Sequence, residues 1–368
     1  MHSEVKVVHT ESSIGWGGQE LRTVAEMSAA SLAGYAPVLV CDSQSQFLER
    51  SGLESSSVRK ININRKNFAS LFRMMSVLRS IEPSLIISHS STDSWLVAIS
   101  RLLLRKPIPW IRMRHVSAKV NINPLTRWMY RSSSIVVTTS DEISSEIRKS
   151  INLPKDRVIS VPTGIDPSLF APGLVDEKGD VRSKLGLSSS EFVIAMVATL
   201  RSWKGHRFMI EALREFPEIK LVIAGDGPQR QNLGDLADRY GLAKQIIFTG
   251  YLADPRPVLQ AADCFIQPST GNEGVSQSLL QAMAMELPVI VSDIGGLNQA
   301  VKNEFSGLLV APGSVKQLVS AINLIKNDSV LRTRLGQNAR KIVLSSHSLE
   351  QMWSRMNSLY KRVIHGSN

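Results

Sequence analysis

Three side chains in the second half of this sequence could share one anionic ligand. Arg201 and Lys204 stand in TLRSWKGH, and Glu273 stands further along, in PSTGNEGVSQ. Two cations suit a diphosphate, and a carboxylate suits sugar hydroxyls; charge-assisted hydrogen bonds of this kind are worth roughly 1.5–3 kcal/mol each. Beyond Glu273, Gly274 and Val275 a helix begins, and the free N–H groups of its first turn, at Ser276 and Gln277, can hold an anion. Taken together these residues describe a place for a nucleotide-sugar. Each stretch has a plainer reading alone: a solvated basic turn at 201–204, and an acid set against a helix dipole at 273. The plainer reading of Glu273 leaves Gly271 and Asn272 before it, and Gly274 after it, without a purpose.

Other candidates stand where strands should end. His115 closes PWIRMRH and His89 lies in SLIISHSS. An imidazole there can orient or protonate a substrate group, although a lone one is more often a hydrogen-bonded loop residue. Gly17 and Gly18, in GWGG, would let backbone approach a ligand, but they lack the spacing of a dinucleotide fingerprint. Gly225, Asp226 and Gly227 after KLVIAG, and Thr163 to Asp166 after VISVP, are turns that could approach a donor; turn chemistry alone accounts for them.

These residues need strands that end beside them, and the chain supplies strands, turns and helices in alternation. VKVVHT, PVLVC, SLIISH, PWIRMRH, SIVVTTS and RVISVP come first; FVIAMVATL, IKLVIAG, IIFTGY, CFIQPS, PVIVSD and GLLVA follow. Short apolar strands between helices argue for parallel sheets covered on both faces. Between the two series, residues 166–191 mix proline, glycine, serine and charge, with the linker expected near Phe170 to Gly179. Two doubly wound α/β domains in tandem result, residues 1–170 and 171–346. The first helix should bury Leu21, Val24, Met27 and Leu32. A helix over 67–81 carries Phe68, Leu71, Phe72, Met75 and Leu78, with Arg73 and Arg79; a buried crossover explains that face, and contact with lipid is the alternative. From about His347 to Val363 a stripe of Leu349, Met352, Trp353, Met356, Leu359 and Tyr360 must bury against something, and a return onto the first domain would serve.

Bulk properties narrow the function. The chain has 368 residues, 43% of them apolar and 20% charged, which suits two globular domains. No apolar run approaches the roughly 20 residues of a membrane span, and MHSEVKVVHTE enters a strand with no leader pattern, so the cytoplasm is expected. Cys41 and Cys264 sit in apolar runs and read as buried, reduced thiols. The net charge is +11, and residues 1–172 carry 21 Lys and Arg against 14 Asp and Glu. Such a surface could meet anionic lipid or a phosphorylated acceptor. Nucleic acid is disfavoured, since aromatics are only 6% and no zinc-finger, recognition-helix or RNP pattern is present.

The early Gly-Gly loop, His115, VPTGID, RSWKG, GDGPQRQNL, FTGYL, AADCFIQPS, NEGVSQSLLQAMA and LPVIVSD, in that order, resemble the retaining GT-B glycosyltransferases of family 4. The likeness runs over nearly the whole chain, and it is the set rather than any single piece that is specific. It implies two Rossmann-like domains facing a cleft, with the C-terminal helix, 347–368, returning to the first. It implies transfer of a sugar from a nucleotide-sugar, which is a substrate rather than a cofactor, with retention of anomeric configuration and no metal. A UDP-sugar is favoured, with GDP- or ADP-sugar as alternatives. Arg201 and Lys204 would hold the diphosphate, Glu273 the sugar, and the amides at Ser276 and Gln277 the phosphate. His115 would sit beside the sugar, Gly17 and Gly18 would border the acceptor, and Tyr251 and Leu252 would lie near the base. The acceptor would be a lipid-linked or lipopolysaccharide-type glycan at the inner membrane face, its choice depending on loops such as Ala118 to Trp128. The sequence has no Asp-x-Asp pair of the metal-dependent transferases. Two departures stand out. Gln281 takes the place of a second glutamate expected to grip the ribose, and Glu286 takes that of a glycine before Leu287-Pro288. A non-catalytic nucleotide-sugar-binding scaffold, or an epimerase or phosphorylase on the same fold, are the competing readings.

Overall fold

A computed structural model describes residues 4–115, 120–173, 175–271 and 273–366. Asn272, and the part of the 118–128 loop at 118 and 119, lie outside the described residues. The chain divides into two compact units, Met1–Thr163 with Glu350–Asn368, and Gly164–Leu349.

In the first unit, β1 (Lys6–Glu11), β2 (Ala36–Asp42), β3 (Val58–Ile61), β4 (Leu85–Ser88), β5 (Trp110–Arg114), β6 (Ile135–Thr138) and β7 (Val158–Ser160) form one sheet in the order β3-β2-β1-β4-β5-β6-β7. In the second, β8 (Phe192–Val197), β9 (Ile219–Ala224), β10 (Ile246–Gly250), β11 (Cys264–Gln267), β12 (Val289–Ser292) and β13 (Leu308–Val310) run in the order β10-β9-β8-β11-β12-β13. Every pairing is parallel. The central strands are buried throughout, as near-continuous Val, Ile and Leu runs require. Strand β3 has no such run to announce it: Arg59 and Lys60 are exposed at the sheet edge, a common guard against edge pairing.

The division falls ahead of the stretch expected to be the linker. Ile165 bridges to Ser348 and Phe170 is buried in the core of the second unit. The Arg340 guanidinium donates to the Phe170 carbonyl at 3.3 Å, and Val175–Lys184 is already a helix.

Two apolar faces differ from expectation. In the helix Gly18–Leu32, Leu32 is 92% exposed and Leu21 is at the surface, whereas Glu20, Arg22, Thr23, Glu26, Met27 and Ala30 are buried. The inward face is largely polar because it meets a polar network, described below. In the helix Phe68–Ile81 the inward residues are Ser70, Met74, Met75, Leu78 and Ile81; Phe68 and Phe72 are 82% and 67% exposed. The C-terminal helix Leu349–His365 packs on the first unit through Met352, Met356, Leu359, Tyr360 and Val363. There Tyr35 donates to Asn357 Oδ1 at 2.9 Å. Cys41 and Cys264 are buried and free, and burial pushes the Cys41 thiol up to about 11. No helix among the described residues is long and apolar enough to cross a membrane.

Candidate functional site

In an open parallel sheet ligands bind beyond the carboxyl ends of the strands, where the strand order reverses. In the second unit that point lies between β8 and β11, which are neighbours whose onward connections run to opposite edges. Arg201 and Lys204 follow β8, and Glu273 follows β11.

The two loops are fastened together. Ser202–Lys204 make one 3₁₀ turn, and Gly205 after it has φ +77°, where a Cβ would overlap the Pro268 carbonyl oxygen. The Thr270 N–H donates to the Trp203 carbonyl at 2.7 Å. This contact brings Lys204 Nζ to 2.6 Å from Glu273 Oε2. Gln267 Nε2 donates to the same oxygen at 2.9 Å, and Ser269 Oγ donates to Oε1 at 2.6 Å. Oε2 thus accepts twice and Oε1 once, so the side chain has one orientation and Oε1 keeps a lone pair for a further donor. From the other side, the Gly296 N–H donates to the Glu273 carbonyl at 2.7 Å, and a Cβ on Gly296 would overlap the Val275 nitrogen. Gly295, at φ +53°, lies equally close to the Glu273 backbone. Sequence reading missed Gln267, Ser269, Gly205 and the Gly295-Gly296 pair; polar residues closing an apolar strand, and glycines in SDIGG, were the available signals.

Arg201 is brought to the same loop but not into the pair. It is exposed, its guanidinium stands over the Trp203 ring at 5.6 Å, and among the described residues no carboxylate pairs with it. The helix Gln277–Ala284 begins behind Gly274 and the buried Val275. Its N-cap, Ser276, makes no side-chain cap bond; its hydroxyl pairs with that of Ser278 at 3.1 Å. Among the described residues no side chain covers the first-turn amides. Gln281 lies one turn on and is 7% exposed. Glu286 has φ +60°, the left-handed backbone that a glycine at this position would favour. Tyr251 is partly exposed and Leu252 packs on the core. Gly225 and Gly227 have a packing reason of their own: at φ +146° and +156°, a Cβ on either would meet the carbonyl of Ala198 or Leu200. His206, next to Gly205, is buried with neither ring nitrogen bonded, and burial, with Lys204 nearby, lowers it to about 4.

The first unit reverses its strand order between β1 and β4, and a different chemistry collects there. His115 Nε2 is 3.1 Å from His89 Nδ1, and His89 Nε2 is 3.0 Å from His9 Nδ1. The rings are nearly parallel, at 23° and 12°. His9 Nε2 faces the Tyr360 hydroxyl at 3.4 Å, and that hydroxyl donates to Glu26 Oε1 at 2.7 Å. Burial drives the pKa values of His89 and His115 well below the ordinary histidine range and lowers His9 to about 3. The Asp93 carboxylate anchors the β4 loop by accepting from the His89 and Ser90 amides, each at 3.0 Å, and from Thr10 Oγ1 at 2.8 Å. Gly17 caps the helix Gly18–Leu32, and a Cβ there would meet nothing nearer than Glu20 Oε2 at 3.7 Å. Packing therefore does not demand glycine at 17. Glu11, held by the Ser13 amide and by Gln19, is raised to about 8 by burial and by Asp93 and Glu20. His9, Thr23 and Glu26 escaped the sequence reading, and Tyr360 entered it only as part of an apolar stripe, because no local spacing links the network.

Two sheets of this order, each with its loops gathered at the reversal, define a GT-B fold. The family model for glycosyl transferases group 1 matches residues 177–342, and that for glycosyltransferase family 4 matches residues 16–169. The chain is 24% identical to the Escherichia coli UDP-Gal:alpha-D-GlcNAc-diphosphoundecaprenol alpha-1,3-galactosyltransferase, over 98% of this chain and 97% of that one. It is 30% identical to an uncharacterized glycosyltransferase of Methanocaldococcus jannaschii, over 61% and 59%. Among solved structures, a glycosyltransferase from Rickettsia africae superposes with TM-score 0.86 at 18% identity, over 99% of both chains. HepE from Anabaena in complex with UDP-glucose gives 0.84 at 20%, over 97% and 99%. The chain belongs to the group 1 glycosyltransferases of family 4.

Proposed function

We propose that this glycosyltransferase moves a sugar from a nucleoside-diphosphate donor, by preference a UDP-sugar, to a lipid-linked or lipopolysaccharide-type glycan. The reading is carried by the Lys204–Glu273 pair, fixed at 2.6 Å beside an uncapped helix N-terminus at the switch point. Lys204 and the exposed Arg201 hold the donor diphosphate, with the amides at Ser276 and Gln277 against its distal phosphate. Glu273 accepts from sugar hydroxyls, and His115 is assigned to the sugar by the family resemblance. Gly274, Val275, Tyr251 and Leu252 line the donor, and Gly17 and Gly18 leave room for the acceptor.

Transfer proceeds as the bond from the anomeric carbon to the diphosphate oxygen loosens into an oxocarbenium-like state. The acceptor oxygen bonds to the same face, and its proton passes to the leaving phosphate, so configuration is retained. Two cations and oriented amides stabilise the departing charge in place of a metal, the largest electrostatic contribution. The galactosyltransferase named above uses UDP-Gal and a diphosphoundecaprenol acceptor, which supports a similar pairing here. Gln281 keeps a hydrogen-bonding amide for the ribose but no charge, so donor affinity is weaker than with a glutamate.

Membrane contact at the cytoplasmic face is part of the proposal. Phe68 and Phe72 stand exposed beside Arg65, Lys66 and Arg73, and the first half carries the larger basic excess. An exposed hydrophobic pair with cations close by in the chain suits an anionic leaflet. The test is nucleotide release and product formation with UDP-, GDP- and ADP-sugars and a polyprenyl-diphosphate-sugar acceptor. One donor should be turned over without added divalent metal and in the presence of a chelator; activity only with metal, or an inverted product, overturns the mechanism.

A further inference from the structure

Three helices of the first unit begin side by side at one rim of its sheet. Phe68–Ile81, Ser91–Leu104 and Pro124–Ser132 pack in that order and follow the carboxyl ends of β3, β4 and β5. One row of side chains joins their starts. Lys66 Nζ stands 5.7 Å from the centre of the Trp95 ring, and the Trp95 and Trp128 rings are 6.3 Å apart. Trp95 is rooted in the core of the unit, whereas Trp128, Leu125, Phe68 and Phe72 are exposed. The row adjoins the end of β5, because the positive charge of Arg112 reaches both Lys66 and His115.

Charge along this rim has one sign. Residues 55–81 hold 6 Lys and Arg, residues 94–140 hold 8, and neither stretch has an acid; these are most of the 21 cations in residues 1–172. The two acids between the stretches are already engaged. Glu82 pairs with Lys106 at 3.2 Å, and the buried Asp93 accepts from Thr10 and from the His89 and Ser90 amides. Among the described residues no carboxylate pairs with Arg65, Lys66 or Arg127, and the buried Arg112 leaves its Nε without a partner. Burial, and then the charge of Arg112, lower the Lys66 ammonium, a cost that an anion beside it relieves. A merely solvated basic face has no need of a cation set against an indole, and a merely apolar patch has no need to exclude every acid.

We propose that this row seats the carrier end of the acceptor, an isoprenoid diphosphate: Lys66 takes the diphosphate, with Arg65 and Arg127 alongside, and the Trp95–Trp128 pair takes the first isoprenoid units. Such a ligand joins an anion directly to a branched hydrocarbon, and the row joins a cation directly to two aromatic faces. The inference rests on the reading of the protein as a transferase to a glycan acceptor, and it selects the lipid-linked acceptor over the lipopolysaccharide type.

The experiment is calorimetric titration of the full chain with geranyl diphosphate, geraniol and inorganic diphosphate, in the presence of UDP so that the donor's diphosphate place is filled. Geranyl diphosphate should bind at least about tenfold more tightly than either of its parts. Lys66→Gln should weaken it about tenfold and Trp128→Ala about fivefold, with thermal midpoints near wild type because both side chains are exposed. In turnover, Lys66→Gln should raise KM for a polyprenyl-diphosphate-sugar about tenfold and leave donor KM within about twofold. Equal affinity for geranyl diphosphate in wild type and Lys66→Gln overturns the seat, as does binding no tighter than that of inorganic diphosphate. Loss of binding to phosphatidylglycerol vesicles in Lys66→Gln, with geranyl diphosphate affinity intact, makes the row a bilayer contact and overturns it equally. Lys66-dependent binding in a protein that turns over no nucleotide-sugar removes the transferase reading instead and leaves the seat standing.

Discussion

At the β8–β11 reversal the working groups are charged and keep some contact with water: the Lys204 and Glu273 side chains are 20% and 11% exposed. At the β1–β4 reversal His9, His89, Thr23, Glu26 and Tyr360 are buried, and the histidines are held neutral. An incoming diphosphate can share a partly solvated cation at modest desolvation cost, which a deeply buried ion pair would not allow. A buried neutral network cannot offer charge, but it can fix which atom donates and which accepts. The same topology therefore carries a charged junction in one unit and a buried, neutral one in the other.

The largest effects should come from the charged junction. Glu273→Gln keeps the shape of the side chain and loses its charge; Lys204→Ala removes the cation and leaves the acid without a counterion. We expect each to lower kcat/KM for transfer by about 10²–10³-fold, with midpoints of thermal unfolding within a few degrees of wild type. Assays with the preferred nucleotide-sugar and thermal melts together check this. Near-wild-type rates in either variant would show that chemistry and topology part company at β8–β11.

The fastening of the two loops can be broken without touching a charge. Gly205→Ala places a Cβ on the Pro268 carbonyl and strains a backbone at φ +77°. Destabilisation of about 2–3 kcal/mol is expected, read from urea unfolding. Donor affinity should fall as well, since the turn that carries Lys204 must lift from the 268–271 loop. His9→Ala, in the neutral junction, should leave donor affinity intact.

How far each junction was legible follows from the same contrast. Apolar runs between glycine-rich turns mark most strands, and strand order then brings Lys204 and Glu273 to one place because β8 and β11 are neighbours. The neutral junction left no such trace. Of its members at 9, 23, 26, 89, 115 and 360 only Thr23 and Glu26 share an element, and Arg22, Thr23 and Glu26 turn inward on a helix whose apolar pattern points to Leu21 and Leu32. A rule that buries the apolar face fails where the partner surface is polar. Phe68 and Phe72 mislead in the opposite sense, because residue type alone does not say which of two apolar stripes meets the sheet. Gln267 and Ser269 went unnoticed since a polar strand end is an ordinary turn signal until Glu273 is seen against it.

A smaller effect should appear at His206, which is buried beside the charged junction yet neutral. Its ring, folded, stays uncharged down to about pH 4, whereas its ordinary value is 6.5. Unfolding between these values takes up a proton, so stability that His206 allows at neutral pH is lost as pH falls below about 6.5. His206→Phe removes this linkage. The variant should gain on wild type by about 1 kcal/mol between pH 7 and pH 5.5, measured by urea unfolding at both pH values. A gap that does not change with pH would mean that the ring titrates alike in the folded and the unfolded protein.

The smallest effect isolates backbone strain from chemistry. The helix Gln277–Ala284 ends with the Leu287 N–H bonded to the Ala282 carbonyl at 3.1 Å and the Glu286 N–H to Met283 at 3.2 Å. That pattern puts Glu286 where helices favour a left-handed glycine, and its φ is +60°. Left-handed backbone costs a residue with a Cβ about 1 kcal/mol, partly offset by the entropy a glycine loses on folding. The Arg340 side chain lies 3.9 Å from Glu286 Oε1, too long and too exposed a contact to recover the difference. Glu286→Gly should therefore stabilise the protein by about 0.5 kcal/mol. Glu286→Ala, which keeps the strain and loses the arginine contact, should not stabilise it. Equal stabilisation by both would locate the cost in the carboxylate rather than the backbone. Transfer rates in both variants should match wild type, since this strain sits at the end of the helix away from Glu273.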